Sequence, residues 1–274
     1  MCFKRIWEWL FPKPDPEPEP EPTGEKRTAL LFAINNYPGT VNDLNGCLND
    51  QTDLANWIND NFSEFVIKKF ADSKVTCSTF VSEIKNAVKS LVSGDFLVIH
   101  YSGHGTQVYD IHGDEKDSYD EAVYLYDGPV IDDDINSALG AIPDGATVLL
   151  LFDSCFSGTV TRNPVRFGEP VKQNRFHPMP GMPIRKKVRT KLAKKGEMKW
   201  IVISGCGEEQ TSADAYISGR YNGAFTYYLL KSLSIDKTYQ ECFDKLRTYL
   251  PSKDYDQAPT LEGKTELFNK LIFT

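Results

Sequence analysis

A histidine and a cysteine, each placed where an apolar run gives way to small and polar residues, are the side chains of this sequence best suited to chemistry. Phe96-Leu97-Val98-Ile99-His100-Tyr101 leads into Ser102-Gly103-His104-Gly105, and Val148-Leu149-Leu150-Leu151-Phe152 leads into Asp153-Ser154-Cys155. A thiol is mostly protonated at neutral pH. An imidazole beside it can accept that proton and later return it to a leaving amine. His104 and Cys155 are therefore read as the base and nucleophile of a covalent acyl transfer. The backbone N–H groups of Gly105 and Cys155, in a chain just leaving a strand, are read as the oxyanion hole. Competing chemistries fit less well. His100 and His104 lack an adjoining acidic ligand for a metal site. Cys155 and Arg162 are separated by six residues, where a phosphatase loop needs five. A buried structural cysteine is the ordinary fate of the residue type, but not at a strand end followed by Phe156-Ser157-Gly158.

The elements that must position these groups alternate along the chain. Short apolar runs ending in polar residues read as buried parallel strands, at 27–34, 65–70, 95–101, 147–152 and 200–204, with a shorter strand at 122–126 and a last one near 267–273. Leu44, Leu48, Ala55, Ile58 and Phe62 recur at near-helical spacing. So do Phe80, Ile84, Ala87, Val88 and Leu91, behind a cap from Thr76 or Ser78. Further helices are expected at 133–139, 224–233 and 239–249. Strand and helix in alternation imply an α/β fold with a mostly parallel central sheet and helices on both faces. Chemistry then collects beyond the carboxyl ends of the strands.

Composition bounds the function. The chain has 274 residues, a net charge of −7 and 41% hydrophobic residues, enough for a large core and unsuited to general nucleic-acid binding. Its six cysteines contain no CxxC pair, so a structural zinc or a disulfide framework is not indicated and a reducing, cytoplasmic location is expected. No apolar run reaches the ~20 residues of a membrane span. Residues 1–11 are short and amphipathic, suited to docking on a membrane surface or a protein. Alternating proline and acid at 12–22 makes an extended tether. Between residues 162 and 199 lie twelve Lys or Arg against two Glu, with five prolines, a basic stretch that interrupts the regular pattern.

The run Tyr101-Ser102-Gly103-His104-Gly105-Thr106-Gln107, with Asp132-Asp133-Asp134, Asp153-Ser154-Cys155-Phe156-Ser157-Gly158 and the first-helix motif Gly46-Cys47-Leu48-Asn49-Asp50, resembles metacaspases and the prokaryotic orthocaspases. Ser204-Gly205-Cys206 and Gln210-Thr211-Ser212-Ala213-Asp214 resemble the small-subunit region of that family. The His104-to-Cys155 interval also matches the roughly 50 residues seen in caspases. The resemblance implies a caspase-like fold in which residues 1–26 form the N-terminal segment and tether. Residues 27–161 form a large-subunit-like region, 162–198 the basic linker and 199–274 a small-subunit-like region. It implies a cysteine endopeptidase acting on protein or peptide substrates after Arg or Lys, with Cys47, Asp50, Ser102 and Asp153 as the acidic pocket, and a monomer. Calcium is implied at Asp120, Asp132 and Asp133; a solvated acidic loop is the alternative. Arg162 stands where a further aspartate is expected, so strict calcium dependence is not. The basic linker, rich in the residues such an enzyme cleaves after, is expected to be cut in cis, with residues 185–195 favoured. A catalytically silent caspase-like interaction module is the competing reading. The intact His104, Cys155, Asp50 and Asp153 weigh against it.

Overall fold

The computed structural model describes residues 25–109, 119–155, 172–179, 198–206 and 212–274. Residues 1–11, the 12–22 tether, the acidic stretch 110–118, Arg162 and the 185–195 cluster lie outside them.

Five apolar runs pair as parallel strands: β1 (Arg27–Ala33), β2 (Phe65–Ala71), β3 (Phe96–Ser102), β7 (Thr147–Asp153) and β9 (Ile201–Ser204). With β12 (Thr260–Gly263) antiparallel at one edge, they form a six-stranded sheet ordered β12-β9-β7-β3-β1-β2. The strands that carry the chemistry, β3 and β7, are central and buried along their whole length. That explains why their sequences run apolar without alternating polar positions.

Side chains still alternate between two faces. Leu97, Ile99, Val148, Leu150 and Phe152 point into one core with α2 (Cys77–Lys89) and α3 (Asp132–Leu139). Phe96, Val98, Leu149 and Leu151 point into the other, with α1 (Cys47–Asn61), α4 (Ala224–Ser232) and α5 (Tyr239–Tyr249). Thr76 caps α2 by accepting the Thr79 N–H at 3.1 Å, worth about 1 kcal/mol. Ser102 pairs with Asp153 across β3 and β7. By alternation both point to the face covered by α1 and α4.

Two expectations are corrected. The chain end carries a short helix, α6 (Thr265–Phe268), where a strand was expected near 267–273, and the last strand is β12. Polar Lys264, Thr265, Glu266 and Asn269 break the apolar alternation there. His104 is not in a loop. It opens β4 (His104–Tyr109), which pairs with β5 (Tyr119–Leu125) and β6 (Gly128–Ile131) in a separate antiparallel sheet. Gly103 is the break between β3 and β4. A third small sheet joins β8 (Gln173–Asn174), β10 (Ala213–Ile217) and β11 (Arg220–Gly223). Among the described residues no helix is long and apolar enough to cross a membrane.

Candidate active site

The two motifs meet at the carboxyl end of the sheet. Gly105 lies so close to Cys155 that a Cβ added to it would sit 2.0 Å from the Cys155 carbonyl oxygen. Only glycine permits that approach.

His104 is held on every side but one. Its N–H donates to Tyr37 Oη at 2.8 Å, and Tyr101 Oη donates to its carbonyl at 2.8 Å. Its Nε2 lies 2.7 Å from the Asn42 carbonyl. A carbonyl only accepts, so Nε2 carries the proton and Nδ1 is the basic nitrogen. Nδ1 is buried and has no hydrogen-bond partner. Burial pushes the imidazole down to about 4, so it is neutral in this state. Cys155 is fully buried. Its thiol donates to the Ser212 carbonyl at 3.2 Å and accepts the Ser212 N–H. Burial, with Cys206 beside it, pushes this thiol well up.

The expected oxyanion donors are not unpaired. Gly105 N–H and Cys155 N–H both donate to one oxygen, the carbonyl of Arg175, at 2.8 and 3.1 Å. Arg175 comes from the basic linker and is itself fully buried. Gln173 and Asn174 pair antiparallel with β10, and Arg175 N–H donates to Ser212 O at 3.1 Å. The segment is thus a peptide strand laid along a sheet edge.

The Arg175 guanidinium enters a pocket of three buried carboxylates. Nη2 reaches Asp50 at 2.8 Å and Asp214 at 3.0 Å; Nη1 reaches Asp153 at 3.1 Å and Ser102 Oγ at 2.8 Å. Each carboxylate has its own support. Asp50 accepts the Gly223 N–H and Ser102 Oγ, Asp153 accepts Thr226 N–H, Thr226 Oγ1 and Ser212 Oγ, and Asp214 accepts Asn45 and Gly46 N–H. Donated N–H groups stabilise buried carboxylates and fix their directions. Burial still pushes Asp50 up to about 7 against the pull of Arg175.

The structure therefore brings Asp50, Ser102 and Asp153 around one guanidinium and adds Asp214, Gly223 and Thr226. Cys47, expected with the pocket residues, lies beside the guanidinium without bonding to it. It is buried with its thiol against Ser102, and the guanidinium bonds to oxygens instead, thiols being weak acceptors. His177 stacks on Tyr124 at 3.8 Å and lies 5.9 Å from the His104 ring.

The three carboxylates for which calcium was expected lie on α3 and β5. Asp132 and Asp133 sit in the first turn of α3, where Asp132 Oδ1 accepts the Asp133 N–H and both favour the helix dipole. Asp120 is buried on β5. Among the described residues no group of three His, Cys, Asp or Glu is arranged to hold a metal ion.

A profile for the Caspase domain matches residues 26–269. The chain belongs to the caspase-domain family. It is similar to Metacaspase-1 of Meyerozyma guilliermondii, 30% identical over 87% of this chain and 69% of the relative, and to Metacaspase-1B of Aspergillus fumigatus, 29% identical over 92% and 72%. Among solved structures it resembles a Geobacter sulfurreducens protein, with TM-score 0.69 and 26% identity over 90% of this chain and 98% of that one. It also resembles caspase-1 of Spodoptera frugiperda, with TM-score 0.59 and 11% identity over 90% and 88%, a likeness of fold alone. The metacaspase relatives make this caspase domain a cysteine-peptidase-type domain.

Proposed function

We propose that this caspase domain is an endopeptidase that cleaves after Arg or Lys, and that the Arg175–Phe176 bond is its first substrate. One observation carries the reading: a single residue, Arg175, has its side chain among three carboxylates and its carbonyl oxygen on the N–H groups of Gly105 and Cys155. That is the posture of a residue whose peptide bond is to be cut.

His104 Nδ1 takes the Cys155 proton while Asn42 O holds the resulting imidazolium through Nε2–H. The sulfur attacks the arginine carbonyl carbon, and the negative oxygen draws on Gly105 and Cys155 N–H. Collapse breaks the C–N bond, with His104 returning its proton to the Phe176 amine. Water then hydrolyses the thioester. The favoured self-cleavage site moves from the 185–195 cluster to Arg175. The large- and small-subunit-like parts remain joined after the cut, because β9 pairs with β7 in the central sheet. Uncut, the segment occupies the cleft and holds the enzyme latent. Substrates are proteins or peptides, turned over by a cytoplasmic monomer with no strict need for calcium and no nucleic-acid partner. Residues 1–11 serve for docking.

Mass spectrometry of the purified chain should find a fragment beginning at Phe176, absent from Cys155→Ala and from His104→Ala. Arg and Lys peptides should be turned over and Asp peptides left intact. An uncut chain together with inert Arg peptides would overturn the proposal.

A further inference from the structure

The residues beyond Arg175 are held as specifically as Arg175 itself. Phe176 bridges to Gly105 in parallel register. His177 N–H donates to Gly105 O at 2.8 Å, and Thr106 Oγ1 donates to His177 O at 2.6 Å. Those contacts touch only backbone, so any sequence would satisfy them. The His177 ring is different. It lies parallel to the Tyr124 ring, with centroids 3.8 Å apart and planes 9° from parallel. Asn42 Nδ2 lies 2.9 Å from its Nε2. An amide nitrogen only donates, so His177 accepts there and is neutral.

Asn42 faces both ways. Its main-chain carbonyl fixes the tautomer of His104, and its side-chain amide holds His177. A ring seated on Tyr124 therefore braces the loop that orients the base.

We propose that Tyr124 and Asn42 form a subsite that reads the second residue after the cleaved bond, and that it selects a neutral imidazole, so that preferred substrates contain Arg-Xaa-His. This rests on the peptidase reading above and extends it to the leaving-group side. A phenyl ring in this subsite keeps the stacking and loses the acceptor; an alanine loses both. Stacking and one hydrogen bond together correspond to about tenfold in kcat/KM for His over Ala, with Phe between them.

The test uses the full chain with quenched-fluorescence peptides containing Asn-Arg-Phe-His-Pro, Asn-Arg-Phe-Phe-Pro and Asn-Arg-Phe-Ala-Pro. An arginine aminocoumarin substrate, which ends at the cleaved bond, runs beside them. The expected order is His, then Phe, then Ala. Tyr124→Ala should flatten the whole series. Asn42→Ala should lower turnover of every substrate, the coumarin included, because its loop orients His104, and should in addition erase the advantage of His over Phe. Coumarin turnover with equal rates for the three peptides would overturn the subsite and leave the peptidase reading standing. A His preference surviving in both variants would equally overturn the assignment to Tyr124 and Asn42. Failure of every substrate would instead remove the peptidase reading on which the subsite depends.

Discussion

The guanidinium pocket and the corner that carries His104 and Cys155 adjoin each other through Arg175 yet are built on opposite principles. In the pocket, Asp50, Asp153 and Asp214 are each anchored by backbone N–H groups from another element, and the arginine fills the space between them. In the corner a polar atom is left over: His104 Nδ1 is buried with no partner. The three carboxylates are fully engaged, although Arg175 Nε is buried without a partner, and such a network binds tightly and changes little as a reaction proceeds. An unpaired base is costly at rest and gains its partner only when a proton moves, so its interaction favours the transition state over the ground state. On the proposed function the pocket supplies recognition and the corner supplies rate.

The largest effect should come from removing charge in the pocket alone. Asp50→Asn keeps an acceptor for Gly223 N–H but weakens the hold on a buried guanidinium. Breaking such a pair costs about 3 kcal/mol or more, so kcat/KM for Arg peptides should fall by roughly 100-fold. Alkylation of Cys155 by iodoacetamide should change little. A matching loss of thiol reactivity would show that the two regions are not separable.

Gly223→Ala is a smaller perturbation of the same wall. A Cβ there would lie 2.1 Å from Asp153 Oδ2 and 2.5 Å from Arg175 Nη1. Overpacking of this kind costs about 1–3 kcal/mol. Thermal unfolding should show lowered stability, and peptide kinetics should show the loss in KM more than in kcat. A wild-type KM would mean that the pocket yields more than its packing implies.

The smallest effect is on acid stability, where buried histidines and the pocket pull in opposite directions. His100 and His104 are pushed by burial to about 4, so between pH 6.5 and 4 the unfolded chain binds their protons and the folded chain does not. Their contribution is full above pH 6.5 and is lost as pH falls through that range. Asp50, raised to about 7 by burial, has the opposite sign, gaining a proton in the folded state first. Two histidines against one carboxylate leave a net loss on the order of 1–2 kcal/mol between pH 7 and 5 in urea unfolding. His100→Leu should remove most of that drop, because His100 is buried with neither ring nitrogen hydrogen-bonded. An undiminished drop would place the proton uptake elsewhere.

Much of this was open to reading in one dimension. The apolar runs of β1, β3, β7 and β9 are strands because only buried parallel strands require such runs, and their ends locate His104 and Cys155. A hydroxyl cap for α2 was legible at Thr76 or Ser78, and the structure uses Thr76. Asp50 and Asp153 were legible only through the family resemblance, as positions matching its acidic pocket. Strand alternation also carried a clue that composition hides: Ser102 and Asp153 are register partners on one face.

Other features depend on contacts between residues far apart in the chain, and local sequence holds no record of them. Asp214 joins Asp50 only because β10 passes the start of α1. Asn42 and Tyr37, on the loop before α1, orient a histidine that follows β3. Arg175 is one of twelve cations in a stretch that reads as a basic linker, with nothing local to single it out. Its burial follows from three carboxylates, two N–H groups and a free sheet edge converging from separate parts of the chain. Local sequence determines which residues can make strands, caps and nucleophiles, because those properties reside in a few neighbouring bonds. Which cation fills the acidic pocket is decided by the summed geometry of the fold, since a buried charge is stable only where all its partners arrive together.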